Sequence, residues 1–122
     1  KNQIKKTVVE ELTAKVMGIG RLDVFATPAM VAMMEEAAHT SVEAELAEGQ
    51  GTVGTSMTVS HIAATPVGME VTCESELVEV DGRKLVFEIK AMDEAGLIGE
   101  ARHERFIIEN EKFLAKTNAK LK

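Results

Sequence analysis

The sequence contains no tryptophan and no tyrosine, and only four phenylalanines. Stacking platforms for single-stranded nucleic acid need such rings, so that class is set aside. Positive charge is also scarce: 14 Lys and Arg stand against 20 Asp and Glu, a net charge of −6. General nucleic-acid binding needs a basic footprint, which this balance does not supply. The one cysteine, Cys73, permits neither an internal disulfide nor a cysteine-based zinc site. That usage fits a reducing, cytoplasmic compartment. No apolar run approaches the roughly 20 residues needed to span a bilayer, and no secretory signal is visible over Lys1–Lys15.

What is present is enough for one core. The 122 residues are 45% hydrophobic, which points to a single folded domain over 1–122. A chain of this length buries roughly two-thirds of its unfolded surface without disulfide staples. No internal repeat, low-complexity tract or interdomain linker interrupts it. The basic tail, 112–122, is expected to be helical or frayed.

Residues Thr7 to Val16 mix Val, Leu, Thr and Glu and are read as a first strand, broken by Gly18 and Gly20. Thr27 is then the expected N-cap of a helix, with Pro28 at its first position and an end near Leu46, before Gly49 and Gly51. Its first three turns are apolar on nearly every face, as in a buried helix. Period-two patterns follow. Val53, Thr55, Met57, Val59 and His61 form one row, opposite Thr52, Gly54, Ser56, Thr58 and Ser60. Met69 to Leu77, Leu85 to Ala91 and Leu97 to Ile108 complete four strands in succession, with turns at Asp81-Gly82 and Glu94-Ala95-Gly96. One apolar helix and antiparallel strands predict an α+β hot-dog fold, a long central helix wrapped by a five-stranded antiparallel sheet. Free sheet edges predict self-association.

Several polar residues fall in this pattern, each with a bland and a chemical reading. Glu35 lies on an apolar helix stripe, either at its edge reaching water or buried as an acid–base group. Thr27 alone is more simply a cap, His61 alone a hydrogen-bonded structural histidine, Gly54 alone a bulge or packing site. His103, with Arg102 and Arg105, reads as part of a solvated charged strand; the alternative is that Arg105 or Arg102 meets the active site or a phosphate. Glu35 and His39 share a helix face and make half a metal site, which His61 or His103 would have to complete. The seven methionines read as core filler.

An ordered series of short strings then carries a resemblance. It runs Phe25-Ala26-Thr27, Met30-Val31, Met34-Glu35, Gly51-Thr52-Val53-Gly54-Thr55, His61 with Ala63-Ala64-Thr65-Pro66 and Gly68, Asp81-Gly82-Arg83, Ile98-Gly99, and His103-Glu104-Arg105. Together they resemble the fluoroacetyl-CoA thioesterase-like hot-dog proteins, from Val24 to about Lys116. The resemblance implies hydrolysis of a small acyl-CoA thioester, with Thr27, Glu35 and His61 as the catalytic set. It implies Gly54 as the backbone donor near the substrate carbonyl, and a homodimer or dimer of dimers with the acyl pocket near the subunit interface. It implies no metal and no cofactor, coenzyme A being part of the substrate. The sequence departs from the fluoroacetate-specific pattern by Pro28 after the FAT string. It also departs by the short Met17–Leu22 segment where an aromatic lid would stand, so fluoroacetyl selectivity is not part of the expectation. Two other readings of the fold remain: an enoyl-thioester hydratase or dehydratase, and an acyl-CoA-binding protein without turnover.

Overall fold

The computed structural model describes residues 2–121; Lys122, the last residue of the basic tail, and Lys1 lie outside it. The elements are β1 (Asn2–Thr7), α1 (Thr27–Val42), β2 (Gln50–His61), β3 (Glu70–Asp81), β4 (Lys84–Asp93), β5 (Gly96–Glu109) and α2 (Asn110–Asn118). The five strands form one antiparallel sheet in the order β1-β3-β4-β5-β2. This is the curled sheet around a long helix that the sequence predicts, and β1 and β2 are its edges.

The sheet buries one row from each inner strand against α1. Val71 and Cys73 of β3, Phe87, Ile89 and Ala91 of β4, and Ile98 and Ala101 of β5 meet Met30, Met33, Met34, Ala37 and Ala38. The helical set recurs at i, i+3, i+4, i+7 and i+8, the stripe of a helix with one face on a core. Burial pushes the Cys73 thiol up to about 12, leaving it an inert small apolar group. Ser75 Oγ and Asn2 Nδ2 both donate to the Ala37 carbonyl, at 2.9 and 3.0 Å, and pin the helix to β3 and β1. α1 is therefore not buried all round: Ala32 is exposed, and Thr27, Val31 and Glu35 line a flank open to solvent.

Three expectations need correction. The first strand is Asn2–Thr7, not Thr7 to Val16. Beyond Thr7 the chain folds on itself: Glu10–Leu12 is a 3-10 turn, and the Thr13 hydroxyl donates to the Glu10 carbonyl at 2.7 Å. Such local side-chain bonds compete with a strand ladder. Ala26, not Thr27, is the N-cap, because the Thr27 hydroxyl turns to His61 instead of the helix backbone. The helix ends at Val42, with a 3-10 turn over Glu43–Glu45.

The tail forms α2 on the end of β5. Among the described residues no helix is long and apolar enough to cross a membrane.

Candidate active site

One irregularity in β2 decides what faces α1. The β2–β5 ladder slips between Gly54 and Ser56, leaving Thr55 as a bulge. Opposite residues of an antiparallel pair share a face. Gly54 pairs with Arg105, Met57 with His103, Val59 with Ala101 and His61 with Gly99. Simple alternation separates Gly54 from His61. The bulge removes one residue from the count, so Gly54, Met57, Val59 and His61 all face inward.

Around Gly54 the chain gathers three ionisable side chains. Glu35 reaches off the open flank of α1, its side chain 43% exposed. Arg105 is 7% exposed and His103 is 1% exposed, so β5 presents them inward, not to solvent. Arg105 Nη1 donates to Glu35 Oε2 at 3.1 Å and to His103 Nε2 at 3.1 Å. Its Nε donates to Thr52 Oγ1 at 2.8 Å, and its Nη2 to the Thr52 carbonyl at 3.0 Å. Burial lowers the Arg105 pKa, and the Glu35 carboxylate opposes that. A guanidinium so placed stays charged. Most of its donors are thereby committed within the chain. Arg102, three residues away, points outward to Glu88 at 4.0 Å.

His103 Nδ1 lies 2.9 Å from the Ser56 carbonyl. A carbonyl only accepts, so Nδ1 carries the proton and Nε2 offers its lone pair to Arg105. Burial first, and then the Arg105 charge, lower the His103 pKa; the Ser56 bond and Glu35 oppose them. The ring is therefore neutral at neutral pH.

At Gly54 a Cβ would lie 2.6 Å from Glu35 Oε2, 3.1 Å from His103 Cε1 and 3.4 Å from Arg105 Nη1. Only glycine leaves the carboxylate its place against the strand.

A second cluster stands at the other end of β2. Thr27 Oγ1 and His61 Nδ1 are 2.7 Å apart. His61 Nε2 is buried and has no hydrogen-bond partner among the described residues. Burial lowers this histidine's pKa too, against a raising contribution at Ala63. The pair opens on a pocket of about 320 Å³ lined by Ala14, Ile19, Val24, Ile62, Ala63 and Ala64. Its wall is fixed by the turn after β2. Thr65, fully buried, donates to Asp93 Oδ2 at 2.8 Å, and Asp93 Oδ1 accepts from the Ala95 and Gly96 amides.

Within one chain, then, Thr27 and His61 come together, and Glu35, Gly54 and Arg105 come together, but the two sets are apart. Thr27 and Glu35 lie eight residues along α1, about 12 Å at helical rise. Gly54 and His61 lie seven residues along β2, about 23 Å at strand rise. The structure also parts the candidate metal pair: His39 turns to Glu43 at 3.7 Å while Glu35 turns to Arg105. Among the described residues, no three His, Cys, Asp or Glu side chains converge on one point. Sequence reasoning gave His103 only a solvated-strand or metal-completing reading, and gave Thr52 and Ser56 no role at the site. The signal was the parity of β5, which puts Gly99, Ala101, His103 and Arg105 on one row.

The family described as "FlK: Fluoroacetyl-CoA-specific thioesterase" matches residues 8–111. The chain belongs to the fluoroacetyl-CoA-specific thioesterase family. The fluoroacetyl-CoA thioesterase of Streptantibioticus cattleyicolor is 44% identical over 98 residues, covering 80% of this chain and 70% of that protein. A crystal structure of a point mutant of FlK with fluoroacetate and CoA has a TM-score of 0.94 at 35% identity, over 100% of both chains. A Thermus thermophilus protein described as a thioesterase superfamily member has a TM-score of 0.90 at 28% identity, over 97% of this chain and 88% of that one. Every string that carried the resemblance lies within or beside the matched span, and each ionisable group of both clusters is inside it.

Proposed function

We propose that the protein hydrolyses a small acyl-CoA thioester to the free acid and CoA, at a site built from Thr27, His61, Glu35, Gly54 and Arg105. The observation that carries the reading is the 2.7 Å contact of Thr27 Oγ1 with His61 Nδ1, on a ring whose Nε2 is buried and unpaired. A hydroxyl bonded to an imidazole whose other nitrogen awaits an acceptor is the arrangement of an activated nucleophile.

The acceptor is Glu35 of a second copy. β2 is a sheet edge with an unpaired outer side. A two-fold axis through β2 at Thr58, with the Thr55 bulge skipped in each copy, sets position 54 opposite position 61. Both face inward, so the partner's His61 is brought toward Gly54 and Glu35. Each dimer then carries two sites, and the open flank of α1 is covered.

In the reaction, Thr27 Oγ attacks the thioester carbonyl as His61 Nδ1 takes its proton. Glu35, held by Arg105, accepts from Nε2 and stabilises the imidazolium. The backbone at Gly54 approaches the developing oxyanion without side-chain obstruction. His61 then returns the proton to the leaving CoA sulfur, and water repeats the sequence to release the acid. No cofactor enters this scheme. The small apolar pocket beside Thr27 supports a short acyl group, and selectivity for fluoroacetyl is not proposed. A cytoplasmic location is proposed on the single reduced Cys73.

A thiol-release assay over an acyl-CoA panel tests the activity. Turnover on the best substrate should fall at least about 100-fold in Glu35→Ala and His61→Ala. If both variants match the parent, the site assignment is wrong. Rapid-quench mass spectrometry should find the acyl group on the peptide bearing Thr27. Acylation of the Glu35 peptide instead would make the carboxylate the nucleophile.

A further inference from the structure

His103 has no part in the chemistry above, yet it is the most deeply buried ionisable group beside it. It sits 3.1 Å from Arg105 Nη1 and 3.7 Å from Glu35 Oε2, with one nitrogen already committed to the Ser56 carbonyl. That carbonyl immediately follows the Thr55 bulge. The charged groups facing the ring are Arg105 on its own strand and Glu35 on α1. β4 offers Phe87, whose ring centroid is 6.3 Å away, and β2 offers Met57 and the Ser56 carbonyl; none of these titrates.

We infer that His103 is a positioning residue whose protonation state sets which donor holds the catalytic carboxylate. In the neutral ring, the Nε2 lone pair accepts from Arg105 Nη1. This fixes the guanidinium, which points its other Nη1 hydrogen at Glu35. A proton from solvent at Nε2 replaces that lone pair with an N–H. Two donors then face each other at 3.1 Å, and the arrangement breaks. The imidazolium becomes the nearest new donor to Glu35 Oε2, and the guanidinium loses one of its anchors. Glu35 then carries a strong additional donor, which weakens it as an acceptor for the imidazole it serves. Activity should therefore fall in acid as His103 takes up a proton. The lowered pKa of His103 keeps this step below neutrality. The inference rests on the proposed thioesterase reading for its effect on rate, but not for the protonation itself.

Two measurements test it. In protein labelled with nitrogen-15 at histidine, long-range proton–nitrogen NMR reads each ring's tautomer, with His39→Gln and His61→Gln assigning the other two. His103 is expected as the Nδ1–H tautomer at neutral pH. Its titration should move to lower pH in Glu35→Gln, since the carboxylate favours the charged ring. An Nε2–H tautomer, or a titration unmoved by Glu35→Gln, overturns the inference. The second is the pH profile of thiol release, each protein normalised to its own rate at about pH 8. His103→Gln keeps an acceptor near the Nε2 position that does not titrate, so its loss by about pH 5.5 should be at least threefold smaller than the parent's. An acid limb identical to the parent's also overturns it. If no acyl-CoA is hydrolysed by any variant, the functional reading fails, and the NMR titration alone decides the role of His103.

Discussion

At Gly54 a single methyl group would press on Glu35 Oε2 at 2.6 Å. The carboxylate end is flexible, so Gly54→Ala would displace Glu35 from Arg105 and His103 before it moved the strand. Its cost in stability should be modest, about 1–3 kcal/mol as for other overpacked sites. Its cost in rate should be larger, at least about tenfold in kcat, because a misplacement of this size near reacting groups is expensive. Thiol-release kinetics beside a thermal melt separate the two; a normal kcat with a lowered Tm would make Gly54 a packing residue only.

The histidines make a second prediction at the same scale. His61 and His103 both have lowered pKa values, mainly because burial disfavours imidazolium. The unfolded chain therefore binds more protons than the folded one as pH falls below about 6.5. Stability is complete above that value and declines below it, through the folded-state pKa values. Asp93 adds a later loss. Burial opposes its charge, but the Thr65 hydroxyl and the Ala95 and Gly96 amides outweigh it and hold the carboxyl below its usual range. Its contribution is present above the unfolded value and disappears as pH falls through the folded one. Tm should be level above about pH 7 and drop between about pH 6.5 and 5. A Tm constant over that interval would mean that neither ring is buried neutral.

Among the elements, the contact of α1 with β5 depends on Gly99. A Cβ there would meet Met30 Sδ and Cε at 2.8 Å and the Ser60 carbonyl at 2.8 Å. The methionine can shift, but the backbone of β2 cannot without loosening the ladder beside His61. Gly99→Ala should destabilise by about 1–3 kcal/mol, seen as a lower midpoint in urea with an unchanged slope. An unchanged midpoint would show that β2 yields freely there. This scale also shows what the sequence can and cannot disclose. The hairpins at Asp81-Gly82 and Glu94-Ala95-Gly96 were legible because the turn residues state a local conformation; Gly82 has φ +62° and Gly96 φ +147°. β1 was misplaced because its pairing with β3 is a tertiary choice, while the richer apolar stretch after it closes on itself. The Thr55 bulge was invisible because it is a property of two strands, not one. It moves Gly54 across the sheet, and with it half of the site. Thr27, Glu35 and His61 were legible as an ordered set. Their grouping was not, since the partner that holds Glu35 lies 70 residues along the chain.

The whole molecule, on this account, is one half of each of two sites. Thr27 and His61 occupy one end of β2, Glu35, Gly54 and Arg105 the other, and in the proposed dimer a second copy across the free β2 edge closes the gap. A symmetric dimer makes this testable by complementation. His61→Ala retains Glu35, and Glu35→Ala retains His61, so each homodimer lacks an intact site. Unfolded together in equal amounts and refolded, half of the dimers are mixed, and each mixed dimer has one complete site of two. Activity should return to about a quarter of the parent's per chain. If both residues served within a single chain, no mixture would regain any. A proline at Thr58, on the β2 edge, provides the control. Proline removes a ladder donor and is poorly accommodated where an edge must pair. Thr58→Pro should therefore give a smaller species by light scattering and abolish complementation. Full parental activity of Thr58→Pro alone, in a species that scatters as a monomer, would place Glu35 and His61 in one chain, and the two clusters would then have to meet by a movement of α1 along the sheet.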